Sequence, residues 1–393
     1  MAKPHNSGVG NISRREALAL GITGAGVGIV SVLGAGLARA QRPAAFPPPR
    51  DSNFGGSPSW NTELKELAPN CFTYVQGNGP PHSGGGISNA GLVVGSDGLM
   101  VFDALGGPLM AEPFIATIRR QVSAKPFERL VYTHHHGDHI NGGQYFQEPG
   151  LEVVATPYCR DRVVQMAASA AGGPDDPAYG DISPTFDAEE GRARGTEPRD
   201  LVIPTATITR KTTYAYGDTV VELLPIEAAH TWGDLLVYLP EHKILWMGDN
   251  GFFHMAPYYH NGQPSGWMAL LESILDMDVE YIVPGHGPVA GKAEVQEMLD
   301  YFTLLKSEAR KRFDAGMSPG RAAAEIRMGK FDNWMGSERI ILNLYRLYNE
   351  FDGTLEPLLD QPGFRVATAE YNMIVGGTSE AHQRFYRHDL THG

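Results

Sequence analysis

Between residues 70 and 290, short apolar runs alternate with turns bearing Gly, Pro and Asp. This spacing predicts strands at 71–76, 91–94, 99–102, 128–133, 151–155, 219–225, 235–239, 244–247 and 281–283. Ser96-Asp97-Gly98 reads as a tight turn between two of them. Helical periodicity appears at 108–122 and 266–275, and a helix is expected to begin within 142–146. From residue 293 the pattern turns helical, over 293–315, 319–328 and 338–351, followed by a loosely structured tail. Leu299, Phe302, Leu305 and Ala309 form a stripe that faces a core, a dimer partner or a cleft. The order of elements fits a layered α/β sandwich over 66–292 with a helical C-terminal extension and tail over 293–393.

The first forty residues follow another logic. Ser13-Arg14-Arg15 precedes an apolar, glycine-rich run over 17–37, and Ala38-Arg39-Ala40 then offers a small-x-small cleavage site before Gln41. The paired arginines point to a twin-arginine signal peptide over 1–40 and a periplasmic destination. Ala17 stands where that pattern wants a large apolar residue. The competing reading is an uncleaved anchor, weakened by the glycines of the run. Residues 41–65 read as an extended lead-in, Pro- and Gly-rich as far as 60. No later stretch reaches spanning length without charges, so no stable membrane insertion is expected after cleavage.

Composition narrows the partners. A net charge of −13 argues against nucleic acid and leaves a small-molecule substrate as the expected partner, with homo-oligomerisation open. Cys71 and Cys159, the two cysteines, belong to no CxxC motif. They are either a disulfide or two buried thiols. Residues 171–200, rich in Gly, Pro, Asp and Glu, read as a long surface loop over the site.

The chemistry concentrates in His134-His135-His136-Gly137-Asp138-His139, directly after the strand at 128–133. Side chains at i and i+2 of an extended exit share a side, so His134 and His136 converge while His135 points away. Gly137 lets the chain turn, placing Asp138 and His139 beside the first pair. Imidazole and carboxylate donors suit Zn and leave Fe and Mn open. A catalytic ion needs about three protein ligands, so more must lie downstream. His230, Asp249 and His286 each stand at a strand end in a glycine-bearing loop, where site residues collect.

His134-x-His136-x-Asp138-His139 followed by His230, Asp249 and His286 resembles the metallo-β-lactamase superfamily over roughly residues 70–290. The resemblance implies a four-layer αβ/βα sandwich with two Zn2+ at one edge. His134, His136 and His230 would hold the first ion, and Asp138, His139 and His286 the second. Asp249 would bridge them. A water acidified by both ions would then attack an ester, thioester, lactone or related bond, with Asp138 and Asp249 as the catalytic carboxylates. The bridging aspartate favours the glyoxalase II and lactonase-like branch over β-lactam hydrolysis. An iron-dependent redox enzyme and a periplasmic accessory protein of a quinoprotein dehydrogenase are the other readings.

Substrate contacts are read from the loops. Phe252, Phe253, His254, Tyr258, Tyr259 and His260 follow Asp249 and form either a pocket wall for an apolar or aromatic group, or packing against the C-terminal helices. Trp232 shapes either the pocket or the core. Asp234 either orients a ligand or closes a turn. His82 is either a cleft residue or a solvated loop histidine.

Overall fold

The computed structural model describes residues 53–77, 88–170 and 201–375. The signal-like segment, His82, the loop 171–200 and the residues after 375 lie outside them.

The chain opens with a hairpin of β1 (Glu63–Ala68) and β2 (Cys71–Val75), turned by Asn70 at φ 63. Asparagine tolerates this left-handed conformation better than most residues. β3 (Ala90–Val94) and β4 (Leu99–Phe102) continue antiparallel, with Gly95 N donating to Gly98 O at 2.9 Å across the expected turn. Helix α1 (Pro108–Gln121) then carries the chain over to β5 (Phe127–Val131), which runs parallel to β4. A one-turn helix α2 (Gly137–Ile140) leads on to β6 (Glu152–Ala155), α3 (Pro157–Ala170) and the short β7 (Ala206–Thr207). These seven strands form one sheet in chain order.

A second sheet has the order β12-β11-β10-β9-β8. It comprises β8 (Thr212–Tyr216), β9 (Thr219–Pro225), β10 (Leu235–Leu239), β11 (Ile244–Trp246) and β12 (Tyr281–Val283). Helix α4 (Pro264–Asp276) crosses between the parallel strands β11 and β12. Gln263 caps its start, accepting from Gly266 N.

Three apolar clusters define four layers. Val93, Met100, Phe102, Val131 and Val154 pack between the sheets against Val221, Leu223, Val237 and Trp246. Their strand neighbours Leu92, Leu99, Val101, Leu130 and Val153 face the other way, onto α1 and α3. Leu236, Leu245 and Ile282 of the second sheet face the C-terminal helices. Central strands are therefore buried on both faces, and each large side chain contributes roughly 1.5–3 kcal/mol on burial. That is why they read as apolar runs instead of alternating ones. The architecture is the expected αβ/βα sandwich.

Beyond it stand α5 (Lys292–Asp314), α6 (Pro319–Glu325), α7 (Ile340–Asp352) and α8 (Gln361–Val375). Leu299, Phe302, Leu305 and Ala309 of α5 face this core. Helix α8 corrects the expectation of a loosely structured tail: Phe364, Ala367 and Tyr371 recur at helical spacing and bury against α6 and α7. The helix expected to begin at 142–146 is only one tight turn, Gly143–Phe146. Strands β1, β7 and β8 and helix α3 were not legible in the pattern. Cys71 and Cys159 are both free and buried, in different clusters, which settles the cysteine alternatives in favour of two thiols. Among the described residues no helix is long and apolar enough to cross a membrane.

Candidate metal centre

Strand ends build the site. Asp103 follows β4 and the histidine run follows β5; Asp249 follows β11 and His286 follows β12. His230 lies in the loop between β9 and β10. Leu235 N donates to Thr133 O at 2.8 Å, joining the second sheet to the histidine loop. Helix α2 has only one turn, and it presents Asp138 and His139 from the same loop.

All seven sequence-predicted side chains meet, in two groups that share Asp249. The first is His134, His136, His230 and Asp249; the second is Asp138, His139, Asp249 and His286. Within each group the candidate ligand atoms lie within 4.8 Å of one another. The Oδ2 atom of Asp249 is 3.4 Å from His230 Nε2 and 3.6 Å from His134 Nε2. Its Oδ1 is 2.8 Å from His139 Nε2 and 3.2 Å from His286 Nε2. Asp138 Oδ2 is 3.2 Å from His286 Nε2 and 3.6 Å from His139 Nε2. Asp249 thus stands between the two groups, with Oδ1 against His139, Oδ2 facing His230 and His134, and His286 Nε2 at 3.2 Å from both oxygens.

These residues fit a metal on two counts. Ligands bound tetrahedrally at 2.0–2.1 Å stand about 3.3 Å apart, which the observed separations bracket. In addition, among the described residues His134 Nε2 is buried with no hydrogen-bond partner, and His139 Nε2 and Asp249 Oδ1 face each other at 2.8 Å without the geometry of a hydrogen bond, a costly arrangement unless something else engages them.

The opposite ring nitrogens are occupied. His139 Nδ1 lies 2.8 Å from Asp103 Oδ2, and His134 Nδ1 lies 3.1 Å from Thr133 Oγ1. Thr133 in turn donates N and Oγ1 to Asp103, each at 2.7 Å. Such outer partners fix which nitrogen faces a metal. Asp103, at φ 61, is a candidate site residue that the sequence reading missed. Its signal was an aspartate directly after an apolar strand. Asn89 was also missed: its Nδ2 donates to Pro284 O and Gly287 O at 2.9 and 2.8 Å, pinning the loop of His286. Gly285 is required there, because a Cβ would collide with Asp249 Oδ1.

Charges in the protein are arranged in pairs. Burial opposes the charge on His286, but Asp249 and Asp138 push it up to about 9. Burial likewise opposes His139, which Asp249, Asp138 and Asp103 hold well above its ordinary value. Burial would raise Asp138 and Asp249; the facing histidines, His139 foremost, pull both down instead. On the other side, burial and the neighbouring His134 push His136 down to about 3. Burial also takes His230 well below its ordinary value. His136 and His230 of the first group are therefore held uncharged, and the second group is interlocked imidazolium and carboxylate.

The remaining expectations divide. Phe252 stacks on His286, with ring centroids 4.8 Å apart, and is buried. Tyr258 stacks on His260 at 5.5 Å. Tyr259 does not reach the centre: it is fully buried and stacks on Phe302 of α5 at 4.7 Å, as packing against the C-terminal helices. His254 turns toward Glu297, 3.8 Å away. Trp232 is exposed beside the His230 loop, so it is not a core residue. Asp234 accepts from Thr231 N at 2.8 Å and from Thr231 Oγ1, closing the turn after His230, and burial pushes it up to about 6.

Residues 83–286 match the profile of the Metallo-beta-lactamase superfamily. This span is just over half of the 393 residues, and the chain belongs to that superfamily. A linear primary-alkylsulfatase from a Pseudomonas species is 22% identical over 278 residues, covering 60% of this chain and 49% of the relative. A metallo-beta-lactamase type 2 from Bacillus cereus is 23% identical over 234 residues, covering 57% of this chain and 75% of the relative. The solved structure of the stereoselective inverting sec-alkylsulfatase Pisa1 from Pseudomonas sp. has a TM-score of 0.59 at 16% identity. It covers 84% of this chain and 66% of that one. The chain spans about half the length of the alkylsulfatase relatives, and the structural likeness is one of fold.

Proposed function

We propose that this protein is a hydrolase with two metal ions, zinc by donor type, that cleaves an ester-type bond of a small organic substrate. The observation that carries this reading is Asp249, which belongs to both histidine groups and lies within 3.6 Å of ring nitrogens of each. His134, His136 and His230 would hold one ion; Asp138, His139 and His286 would hold the other. Such a pair supplies Lewis acidity, acidifying a water and polarising the substrate oxygen. The chain's own part is to fix that geometry. Asp103 and Thr133 hold the ring orientations of His139 and His134, and Asn89 holds the His286 loop. Phe252 shields the inner face of His286.

Among ester-type bonds, an alkyl sulfate ester is the substrate the likenesses favour. Alkylsulfatases occur among both the sequence relatives and the solved structures. The 84% structural coverage is too long to be confined to the two-sheet sandwich, so the likeness of fold extends beyond it. The bridging carboxylate argues against a β-lactam. Export is part of the proposal: Ser13-Arg14-Arg15 and the site at Ala40-Gln41 support a periplasmic protein, and Arg14→Lys with Arg15→Lys should leave it in the cytoplasm.

The test is a turnover screen of the metal-loaded chain on alkyl sulfates, lactones, thioesters, phosphoesters and β-lactams, with Asp138→Ala and His139→Ala as blanks. Release of inorganic sulfate from an alkyl sulfate is expected, falling at least about 100-fold in either blank. Turnover of none of these substrates, or equal turnover in the blanks, overturns the proposal.

A further inference from the structure

Asn261 is fully buried between the first metal group and the C-terminal extension. Its Nδ2 donates to Pro357 O at 3.1 Å, in the segment between α7 and α8. That bond settles the amide orientation, since a flipped amide would set two oxygens against each other. Oδ1 therefore faces inward. His136 Nε2 lies 3.0 Å from it and His260 Nδ1 lies 2.8 Å from it. A carboxamide oxygen only accepts, so both imidazoles donate. His136 is thereby fixed with its proton on Nε2 and its lone pair on Nδ1, the atom 2.9 Å from His230 Nε2.

The same junction has a second clasp. Arg346 of α7, also buried, donates through Nη2 to Gly262 O at 2.7 Å and to Glu356 O at 2.8 Å. Gly262 follows Asn261 and Glu356 precedes Pro357, so the two clasps hold the same pair of segments together.

We infer that Asn261 is a positioning residue of the first metal position: it selects Nδ1 of His136 as the ligand atom and ties that choice to the C-terminal extension through Pro357. The extension is then part of the metal centre and not an appendage to it. This inference rests on the two-metal reading above, and its test separates the two.

The experiment uses the full chain with 15N-labelled histidine, loaded with zinc alone. Nitrogen chemical shifts report the protonated and the metal-bound nitrogen of each ring, and a chromophoric chelator gives the two stepwise zinc affinities. In the wild type, His136 should show a protonated Nε2 and a metal-bound Nδ1. Asn261→Leu, which removes the acceptor, should weaken the first-group affinity about 10–100-fold and leave the second within about twofold. Asn261→Asp keeps an acceptor for His136 but sets its other oxygen against Pro357 O, so it should retain the metal-bound Nδ1 while lowering the melting temperature and recovering only part of the affinity. A wild-type His136 bound through Nε2, or unchanged first-group affinity in Asn261→Leu, overturns the inference while leaving the two-metal reading standing. The wild-type spectrum decides even if Asn261→Leu fails to fold. A wild-type chain that takes up no zinc overturns both.

Discussion

Asp103 Oδ2 lies 2.8 Å from His139 Nδ1, and the same carboxylate receives the backbone N–H and hydroxyl of Thr133. One side chain at the end of β4 thus orients a candidate ligand and holds the loop that carries three more. Replacing Asp103 by Ala should lower zinc affinity at the second group about 10–100-fold. It should also cost about 1–3 kcal/mol of stability, because Thr133 N would be left buried without a partner. Chelator competition and thermal unfolding measure the two effects separately. Full affinity in Asp103→Ala would show that His139 needs no outer partner.

Proton competition should distinguish the two groups. His286, raised to about 9 from an ordinary 6.5, and His139, held well above its ordinary value, carry protons at neutral pH that a metal must displace. In the metal-free protein, the stability these pairs contribute is fully present below about pH 6.5. The His286 share is lost as pH rises through about 9. Zinc uptake runs the other way. Affinity at the second group should climb between about pH 6.5 and 9. The first group should stay flat over that window, since His136 is already down at about 3 and His230 is held low as well. Stepwise affinities measured across that range check this; two parallel curves would contradict it.

The two thiols offer a simple check on the fold. Cys71 and Cys159 are buried, and burial pushes Cys71 up to about 11 and Cys159 well above its ordinary value. Neither should react with a disulfide reagent at pH 8 in the native protein, and both should react after denaturation. Reducing agent should leave the melting temperature unchanged. A single accessible thiol, or a reduction-sensitive melt, would place one of these strands or helices wrongly.

The metal ligands were legible because each combines a chemically distinctive residue with a strand end and a glycine. The sandwich was legible because strands buried on both faces leave unbroken apolar runs. What escaped was decided by partners far along the chain. Asp103 looks like any turn aspartate until Thr133 and His139 are placed beside it. Tyr259 belongs to the α5 core because Phe302 lies under it, a contact across 43 positions that no local pattern announces. Helix α8 was hidden by Pro362 and Gly363 in its first turn, where proline is tolerated. β1, β7 and β8 are edge or near-edge strands with mixed exposure, so their alternation is faint.

The central claim is that Asp249 serves two ions at once. Elemental analysis of purified chain gives the most direct test, comparing the wild type with Asp249→Ala after zinc loading and removal of excess metal. The account predicts two zinc ions per wild-type chain and at most one, more weakly held, in the variant. Two tightly held ions in Asp249→Ala, or a single ion in the wild type, would contradict it.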